Sequence, residues 1–157
     1  MSPSDLPAVF RIADALHPDA RERQAVFEEK LRLFPGGCFA LEDDGAVLGY
    51  AISHPWLRDE VPPLDAFLGK LPDASDCLFL HDVAIVARAR GYGSAADLIE
   101  RLTAIAQRAQ LGALALVALY GSDKLWGRLG FCARRPAGLC RTLASYGVAA
   151  VYMMKRL

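Results

Sequence analysis

The stretch that most limits how this chain can fold runs from Leu78 to Ala96, with the sequence LFLHDVAIVARARGYGSAA. Its first half is rich in Leu, Phe, Val and Ile and predicts a buried strand. A short loop containing two glycines follows, and from Ser94 to Gln110 apolar residues recur at helical spacing. Any fold of this chain must therefore place a tight loop between the end of a buried strand and the start of an amphipathic helix.

This loop has the features of an anion-binding site. The first turn of a helix leaves backbone N–H groups without partners and has a partial positive charge. Gly91 and Gly93 allow the backbone to approach a phosphate closely, and an arginine adds charge-assisted donors. A lone Gly-x-Gly is more often a simple turn, so a functional interpretation needs a second motif.

A dinucleotide-binding fold is one interpretation of the loop, because Gly91-x-Gly93-x-x-Ala96 matches a form of the Rossmann fingerprint. That fold requires the first glycine directly at the end of the strand and an acidic residue about 20 positions further on. Here residues 87–90 intervene, and residues 111–122 contain no Asp or Glu. The sequence therefore argues against a dinucleotide fold, and it has no Walker phosphate loop.

The rest of the chain predicts further helices and strands. Asp43-Asp44-Gly45 between two short apolar runs predicts a hairpin. Helical spacing predicts one helix from Leu6 to Leu16, and Asp19 is predicted to cap a second helix that extends to Leu33. Further elements are predicted as a strand at 114–119, a short helix at 123–129 and two last strands at 131–134 and 148–155.

Composition excludes several classes of function. The 157 residues fit one domain, and Lys plus Arg equals Asp plus Glu at 18 each, so a nucleic-acid partner is not expected. The four cysteines form no C-x-x-C pair and have no histidine at ligand spacing, so no metal site is expected. The N-terminus has no basic start followed by an apolar stretch, and the longest apolar run, residues 111–120, is too short to cross a membrane. We therefore expect a cytoplasmic protein.

Two motifs, in this order, resemble the GNAT superfamily of N-acetyltransferases. Val83-Ala84-Ile85 resembles its Val-Ala-Val strand, and the segment from Arg90 to Ala95, RGYGSA, resembles its Arg/Gln-x-x-Gly-x-Gly/Ala loop. A register starting at Arg88 also satisfies the loop pattern, but the register from Arg90 keeps the usual distance from the strand. Downstream, LWGRLGF at residues 125–131 is similar to the family's Phe-Tyr-Glu-Lys-Leu-Gly-Phe element.

The resemblance covers the chain from Phe39 to the C-terminus. It implies one α/β domain with a mixed, strongly twisted central sheet and helices on both faces. A weaker similarity to the serotonin (aralkylamine) N-acetyltransferase branch rests on the N-terminal helices, the long loop after the hairpin and a histidine at the position of His81.

The resemblance also implies acetyl-CoA as the co-substrate, with no metal. In the family the parallel fourth and fifth strands, here residues 78–86 and 114–119, separate to admit the pantetheine arm. Backbone groups of Val83 and Ile85 would pair with the pantetheine amides, and N–H groups from Gly91 to Ala96 would hold the pyrophosphate. The predicted cofactor-binding residues are Val83, Ala84, Ile85, Arg88, Arg90, Gly91, Tyr92, Gly93, Ser94, Ala95, Ala96 and Trp126.

Transfer of an acyl group to an amine requires a proton acceptor, because an alkyl ammonium has a pKa of about 10. His81 is the predicted base, with a core histidine bonded to a backbone carbonyl as the alternative. Asp82, beside it on the same strand, is a second catalytic candidate. Strand alternation places the two on opposite faces, so both cannot face the substrate equally, and Asp82 would otherwise cap or pair with a loop arginine. His17 and His54 are predicted to be surface or loop residues, with His54 as a further candidate for the border of the substrate pocket.

Trp126 stands where the family often has a tyrosine that reprotonates the departing thiolate. An indole cannot do so, because its N–H is not usefully acidic. Tyr120 is the predicted replacement as general acid, with solvent as the alternative. Trp126 would instead form a wall against the pantetheine or the acyl group.

The loop from Pro55 to Ser75 is where such enzymes vary their substrate pockets. It is interpreted either as a solvated loop or as a pocket lined by Trp56, Pro62, Pro63 and Phe67, with Asp59, Glu60 and Asp65 attracting a cationic amine. The predicted reaction is acetyl transfer from acetyl-CoA to a primary amine of a small molecule by direct attack on the thioester. The alternatives are a protein N-terminal or lysine acetyltransferase and a non-catalytic acyl-CoA-binding regulatory module. The expected partner is a small-molecule amine, without nucleic acid or membrane, and a homodimer is left open.

Overall fold

The computed structural model describes residues 1–147 and 149–157, except for the side chains of Cys140 and Arg141. A mixed six-stranded sheet forms its centre. The strands are β1 (Cys38–Asp43), β2 (Ala46–Trp56), β3 (Cys77–Ile85), β4 (Ala113–Ala118), β5 (Cys132–Ala133) and β6 (Val151–Arg156). Their order in the sheet is β1-β2-β3-β4-β6-β5, with β3 and β4 parallel and the other neighbouring pairs antiparallel.

Helices cover both faces of this sheet. They are α1 (Leu6–Leu16), α2 (Gln24–Leu33), α3 (Ser94–Arg108), α4 (Asp123–Arg128) and α5 (Cys140–Ala144). On one face the predicted apolar stripe of α3, including Leu98 and Leu102, packs on Leu80 and Leu116 of the sheet. On the other face α1 and α2 pack on Tyr50, Ile52 and Ala84. The predicted mixed sheet with helices on both faces is confirmed.

The predicted hairpin joins β1 to β2. Asp44 and Gly45 have φ values of 46° and 74°, and two successive residues with positive φ match the twist of a two-residue hairpin turn. Asp-Gly was the local signal for this turn, and the structure forms it at that position.

Two predicted boundaries are wrong, and a third falls on a residue outside the described part of the chain. The second helix begins at Gln24 and not after Asp19, because Glu22 is held outside the helix by contacts with His81 and the backbone of Asp65. The strand predicted at 131–134 is limited to β5. The last predicted strand began at Val148, which lies outside the described residues, and β6 begins at Val151.

The described chain begins with a short 3₁₀ turn, Pro3–Asp5, followed directly by α1. In the described residues no strand precedes α1, and the strands that the resemblance numbered fourth and fifth are β3 and β4 in this chain. In the described residues no helix has the length and apolar character needed to cross a membrane.

Candidate active site

A β-bulge in β3 determines where the polar residues of the site lie. Ile52 of β2 pairs with Asp82 and Ser53 pairs with Leu80, so His81 has no partner in β2. An extra residue breaks the period of two, so neighbouring side chains can point to one face. Both His81 and Asp82 contact residues on the face covered by α1 and α2. The prediction that they lie on opposite faces is therefore wrong.

Beyond the bulge, β3 and β4 separate. They pair at Leu78–Leu114, Phe79–Ala115 and Leu80–Leu116, yet β3 continues to Ile85 and β4 to Ala118. The N–H of Val86 donates to the carbonyl of Leu48 in β2 at 2.9 Å. Because backbone groups alternate in direction along a strand, those of Val83 and Ile85 point away from β2 and into the gap beside β4.

The start of α3 is open. Gly91 and Gly93 have φ values of 90° and 86°, and a Cβ added at either position would meet no atom within 4 Å. The N–H of Ala96 donates to the carbonyl of Gly93 at 2.8 Å. In the described part of the chain the N–H groups from Gly91 to Ala95 have no acceptor. These positive φ values favour glycine, and the free donors fit a bound diphosphate.

The two arginines predicted to add charge differ in their positions. Arg90 lines the cavity described below, and its Nε donates to the carbonyl of Ile85 at 2.8 Å. Arg88 lies in the 3₁₀ turn Ala87–Ala89 and does not line the cavity. The side chain of Arg90 therefore connects the end of β3 to the glycine loop.

A cavity of about 610 Å³ joins the start of α3, the gap between β3 and β4, and the end of α1. Among the predicted cofactor-binding residues, Val83, Ala84, Ile85, Arg90, Gly91, Gly93, Ser94, Ala95, Ala96 and Trp126 line it. Tyr92 does not, and it is 81% exposed to solvent. The three predicted catalytic residues, His81, Asp82 and Tyr120, all line the same cavity.

Trp126 forms part of the cavity wall. Its side chain packs edge-on against Phe131, with ring centroids 5.9 Å apart, and its Nε1 donates to the hydroxyl of Ser122 at 3.2 Å. The indole N–H is thus already used in a hydrogen bond within the protein. Trp126 is thus a packed aromatic that also lines the cavity, and its role as a wall against the pantetheine or the acyl group stays a prediction.

His81 is paired with a carboxylate. Its Nε2 lies 2.9 Å from Oε2 and 3.1 Å from Oε1 of Glu22, and the two side chains are 1% and 4% exposed. Its Nδ1 is buried and has no hydrogen-bond partner in the described residues. The alternative of a core histidine bonded to a backbone carbonyl is therefore wrong.

Burial raises the pKa of Glu22, but the nearby His81 and Lys30 outweigh that effect and lower it to about 2. Glu22 was not predicted as a site residue. It lies in the loop between α1 and α2, and the sequence contains no signal that brings this loop to the bulge.

A second histidine–carboxylate pair lies beside the first. Oδ1 of Asp82 is 3.2 Å from Nε2 of His17, and Oδ2 accepts a hydrogen bond from the hydroxyl of Tyr50 at 2.6 Å. His17 also stacks on Tyr120, with ring centroids 5.9 Å apart and an interplanar angle of 13°. Asp82 is therefore bound by a histidine and a tyrosine and not by a loop arginine.

His17 belongs to the site, so its prediction as a surface or loop residue is wrong. Its side chain is 17% exposed and lines the cavity. Burial alone would lower the pKa of His17, but the carboxylate of Asp82 outweighs burial and the pKa is raised above the usual value. Burial, together with the charges of Asp19 and Asp82, raises the pKa of Tyr120.

His54 does not border the pocket. It is 0% exposed, and burial followed by the charge of His81 lowers its pKa to about 3. His54 therefore stays neutral and packs against Phe79 and Trp56.

The loop between β2 and β3 is not part of the cavity wall. Asp65 pairs with Arg23 at 2.8 Å, and Phe67 lies beneath the guanidinium of the same arginine. Glu29 accepts the N–H groups of Leu68 and Gly69 at 2.7 and 3.0 Å. These contacts hold the loop against α2, so the predicted pocket lining by Trp56, Pro62, Pro63 and Phe67 is wrong. The acidic residues predicted to attract a cationic amine do not line the cavity either; they are Asp59, Glu60 and Asp65.

The described residues contain no group of three or more His, Cys, Asp or Glu side chains that could hold a metal ion. The groups that the site presents are free backbone donors, two histidine–carboxylate pairs and an aromatic wall. A glycine loop at a helix start, next to parallel strands that separate, is the arrangement that the GNAT resemblance implies for binding acyl-CoA.

Comparison with known proteins identifies the family. Residues 6–131 match the model of the acetyltransferase (GNAT) family. Comparison with curated proteins gives no match. The chain belongs to the GNAT family and is an acyl-CoA N-acyltransferase.

Solved structures show the same fold at low identity. The chain is similar to Ard1 from Thermoplasma volcanium, with 18% identity, a TM-score of 0.73 and coverage of 100% of this chain and 94% of that chain. It is similar to Naa20 from Chaetomium thermophilum in complex with a bisubstrate analogue, with 16% identity, a TM-score of 0.74 and coverage of 100% and 84%. It is also similar to the GNAT-like decarboxylase GphF in complex with isobutyryl-CoA, with 16% identity, a TM-score of 0.77 and coverage of 99% and 96%.

Proposed function

We propose that this protein transfers an acetyl group from acetyl-CoA to a primary amine of a small molecule. One observation supports this most directly: a single cavity extends from the glycine loop, through the gap between β3 and β4, to His81 and to the His17–Asp82 pair. The same space can therefore hold a diphosphate at one end and an amine at the other.

The described residues fit acetyl-CoA. The free N–H groups from Gly91 to Ala95 suit its diphosphate, and the gap beside Val83 and Ile85 suits its pantetheine arm. When bound, acetyl-CoA supplies the acetyl thioester. A fixed backbone donor of β3 that faces the gap can polarise a carbonyl there, and such donors typically lower a barrier by a few kcal/mol.

The proton of the amine needs an acceptor at this point. Nδ1 of His81 has no hydrogen-bond partner among the described residues, and the residue lines the cavity. The carboxylate of Glu22 on the other ring nitrogen stabilises the imidazolium that forms. Tyr120 is the residue proposed to return a proton to the thiolate, since Trp126 cannot.

A small acceptor is supported by one residue of the cavity lining. Tyr146 lines the cavity, is 7% exposed, and donates through its hydroxyl to the carbonyl of Pro62 at 2.6 Å. This bond ties the segment after α5 to the long loop. Such a tie favours an enclosed pocket over the open groove that an extended peptide needs.

A peptide acceptor is the second candidate, because similar folds bind peptides. The NatC complex bound to Gag peptide and CoA is one such neighbour, with 16% identity and a TM-score of 0.70.

The test is release of CoA thiol from acetyl-CoA with a panel of small aromatic and aliphatic amines and, in parallel, short peptides with free N-termini. Higher kcat/KM with a small amine supports the proposal, and higher kcat/KM with peptides replaces it. No thiol release with any acceptor, together with stabilisation by acetyl-CoA, would indicate a binding module.

A further inference from the structure

The buried carboxylate of Glu22 contacts Nε2 of His81, the proposed base. Both of its oxygens lie within 3.1 Å of Nε2 of His81, and Oε1 also accepts the N–H of Asp65 at 2.9 Å. Lys30, 0% exposed, has its Nζ 3.9 Å from Oε1. Glu22, a loop residue, is thus held beside the bulge of β3 by three groups.

The charge state of Glu22 determines which ring nitrogen of His81 holds the proton. With a pKa of about 2, caused by His81 and Lys30 against the effect of burial, Glu22 is ionised at neutral pH. An ionised carboxylate can only accept hydrogen bonds, so Nε2 must be the protonated nitrogen. In neutral His81 the lone pair is therefore on Nδ1, which no group in the described part of the chain contacts by a hydrogen bond.

Other charged groups around His81 do not oppose this arrangement strongly. His54 lies 5.5 Å away between ring centroids and is neutral, because burial lowers its pKa to about 3. Asp82 is engaged by His17 and Tyr50, and Asp65 is engaged by Arg23. Among the described residues, the ammonium of Lys30 lies 3.9 Å from Oε1 of Glu22, and the hydroxyl of Tyr146 is bonded to the carbonyl of Pro62.

We propose that Glu22 is a positioning residue for His81: its carboxylate holds the proton on Nε2, so that the lone pair that accepts the amine's proton lies on Nδ1, and it stabilises the imidazolium after proton transfer. The catalytic half of this inference rests on the proposed function. The tautomer of His81 is a property of the free protein and does not depend on it.

The chain offers a matched control in Glu29. It is also a buried carboxylate, 8% exposed, and it also accepts backbone N–H groups from the loop between β2 and β3, but its partners are Leu68 and Gly69 and not His81. Glu22→Gln and Glu29→Gln therefore both weaken the attachment of this loop, and only the first removes the charge beside the imidazole.

The first measurement is ¹⁵N NMR of the histidine rings in the free, unmodified protein. His81 is expected with its proton on Nε2, and a proton on Nδ1 would overturn the proposal. The second is the pH dependence of kcat for the best amine. In Glu22→Gln we expect kcat to fall about tenfold or more and the pH profile of kcat to change, because no carboxylate then stabilises the imidazolium, with KM for acetyl-CoA unchanged. Glu29→Gln is expected to keep the pH profile of the unmodified protein.

Equal losses in the two variants with no change in the pH profile would show that Glu22 has a structural role only, and would overturn the proposal. Glu22→Asp keeps the charge, so it should retain the pH profile even with a lower kcat, and it serves if Glu22→Gln does not fold. If no amine is acetylated by the unmodified protein, the proposed function fails, while the NMR result still decides whether Glu22 sets the tautomer.

Discussion

Tyr50 donates its hydroxyl hydrogen to Oδ2 of Asp82 at 2.6 Å, from the strand that pairs with β3 across the bulge. This bond occupies one carboxylate oxygen and leaves Oδ1 for His17, 3.2 Å away. Burial and the charge of Asp82 together raise the pKa of Tyr50 well above its ordinary value, so the phenol remains a donor at every physiological pH. The orientation of Asp82, and through it that of His17, is therefore determined by a residue of the sheet.

Asp82→Asn tests this pair through the pH dependence of stability. The folded-state pKa of His17 is raised, so its pairing with Asp82 stabilises the fold fully below the unfolded pKa of about 6.5 and is lost as pH rises through the folded value. We therefore expect the difference in Tm between the unmodified protein and Asp82→Asn to be larger at about pH 5.5 than at about pH 8.5. Thermal melts at both pH values give the comparison, and a difference that does not change with pH contradicts it.

Glu22 should give the opposite pH dependence. Its folded-state pKa is lowered to about 2 from an ordinary value of 4.5, so its contribution is present above pH 4.5 and is lost as pH falls toward 2. That shift in pKa corresponds to a contribution of Glu22 to the free energy of unfolding on the order of 3 kcal/mol. Urea unfolding should show the largest gap between Glu22→Gln and the unmodified protein near neutral pH, and the gap should narrow in acid. A gap that is constant from pH 7 down to about pH 3 would contradict the ionised Glu22 described above.

The diphosphate site is tested by Gly93→Val. Gly93 has a φ of 86° and open space at its Cβ, so a branched side chain adds backbone strain of about 1–2 kcal/mol and covers the free N–H groups without clashing with the protein. Acetyl-CoA at about 100 times its Kd should stabilise the unmodified protein by about 2.7 kcal/mol and should not stabilise this variant. The measurement is the shift in Tm on adding acetyl-CoA.

Gly45→Val is the matched control for that experiment. Gly45 has a φ of 74° and open space at its Cβ, but it lies in the hairpin turn and does not line the cavity. It should lose stability and keep the shift in Tm with acetyl-CoA. If Gly93→Val kept the shift as well, the diphosphate would have to bind elsewhere.

The parts of this site that could be predicted from sequence are those written in contiguous residues. Asp44-Gly45 defines a turn by local backbone preferences, and the stripe of α3 defines a buried face by its spacing. The glycine loop is also local, because the two positive φ values and the start of the helix follow one another along the chain. The strands that separate were inferred from the family resemblance that these motifs support.

The catalytic end of the cavity could not be predicted in the same way. His17 lies at the end of α1, and Glu22 lies in the loop before α2. They contact Asp82 and His81, respectively, only after the sheet has formed. The bulge at His81 does not alter the apolar pattern of β3, so alternation predicted the wrong face for Asp82. Both errors come from long-range contacts that no spacing rule records.

Tyr120→Phe separates the protein's own acid from solvent as the source of the thiolate's proton. Phenylalanine keeps the ring that stacks on His17 at 5.9 Å and removes only the hydroxyl. If Tyr120 returns the proton, kcat should fall about tenfold or more with KM for acetyl-CoA unchanged, because acid catalysis typically contributes at least that much. Adding Trp126→Tyr restores a phenol on the wall that Trp126 forms, and it should recover part of the lost kcat. Steady-state kinetics of the two variants decide between the sources: an unchanged kcat in Tyr120→Phe means that solvent protonates the thiolate, because a free thiol has a pKa near 8.5 and takes up a proton easily at neutral pH.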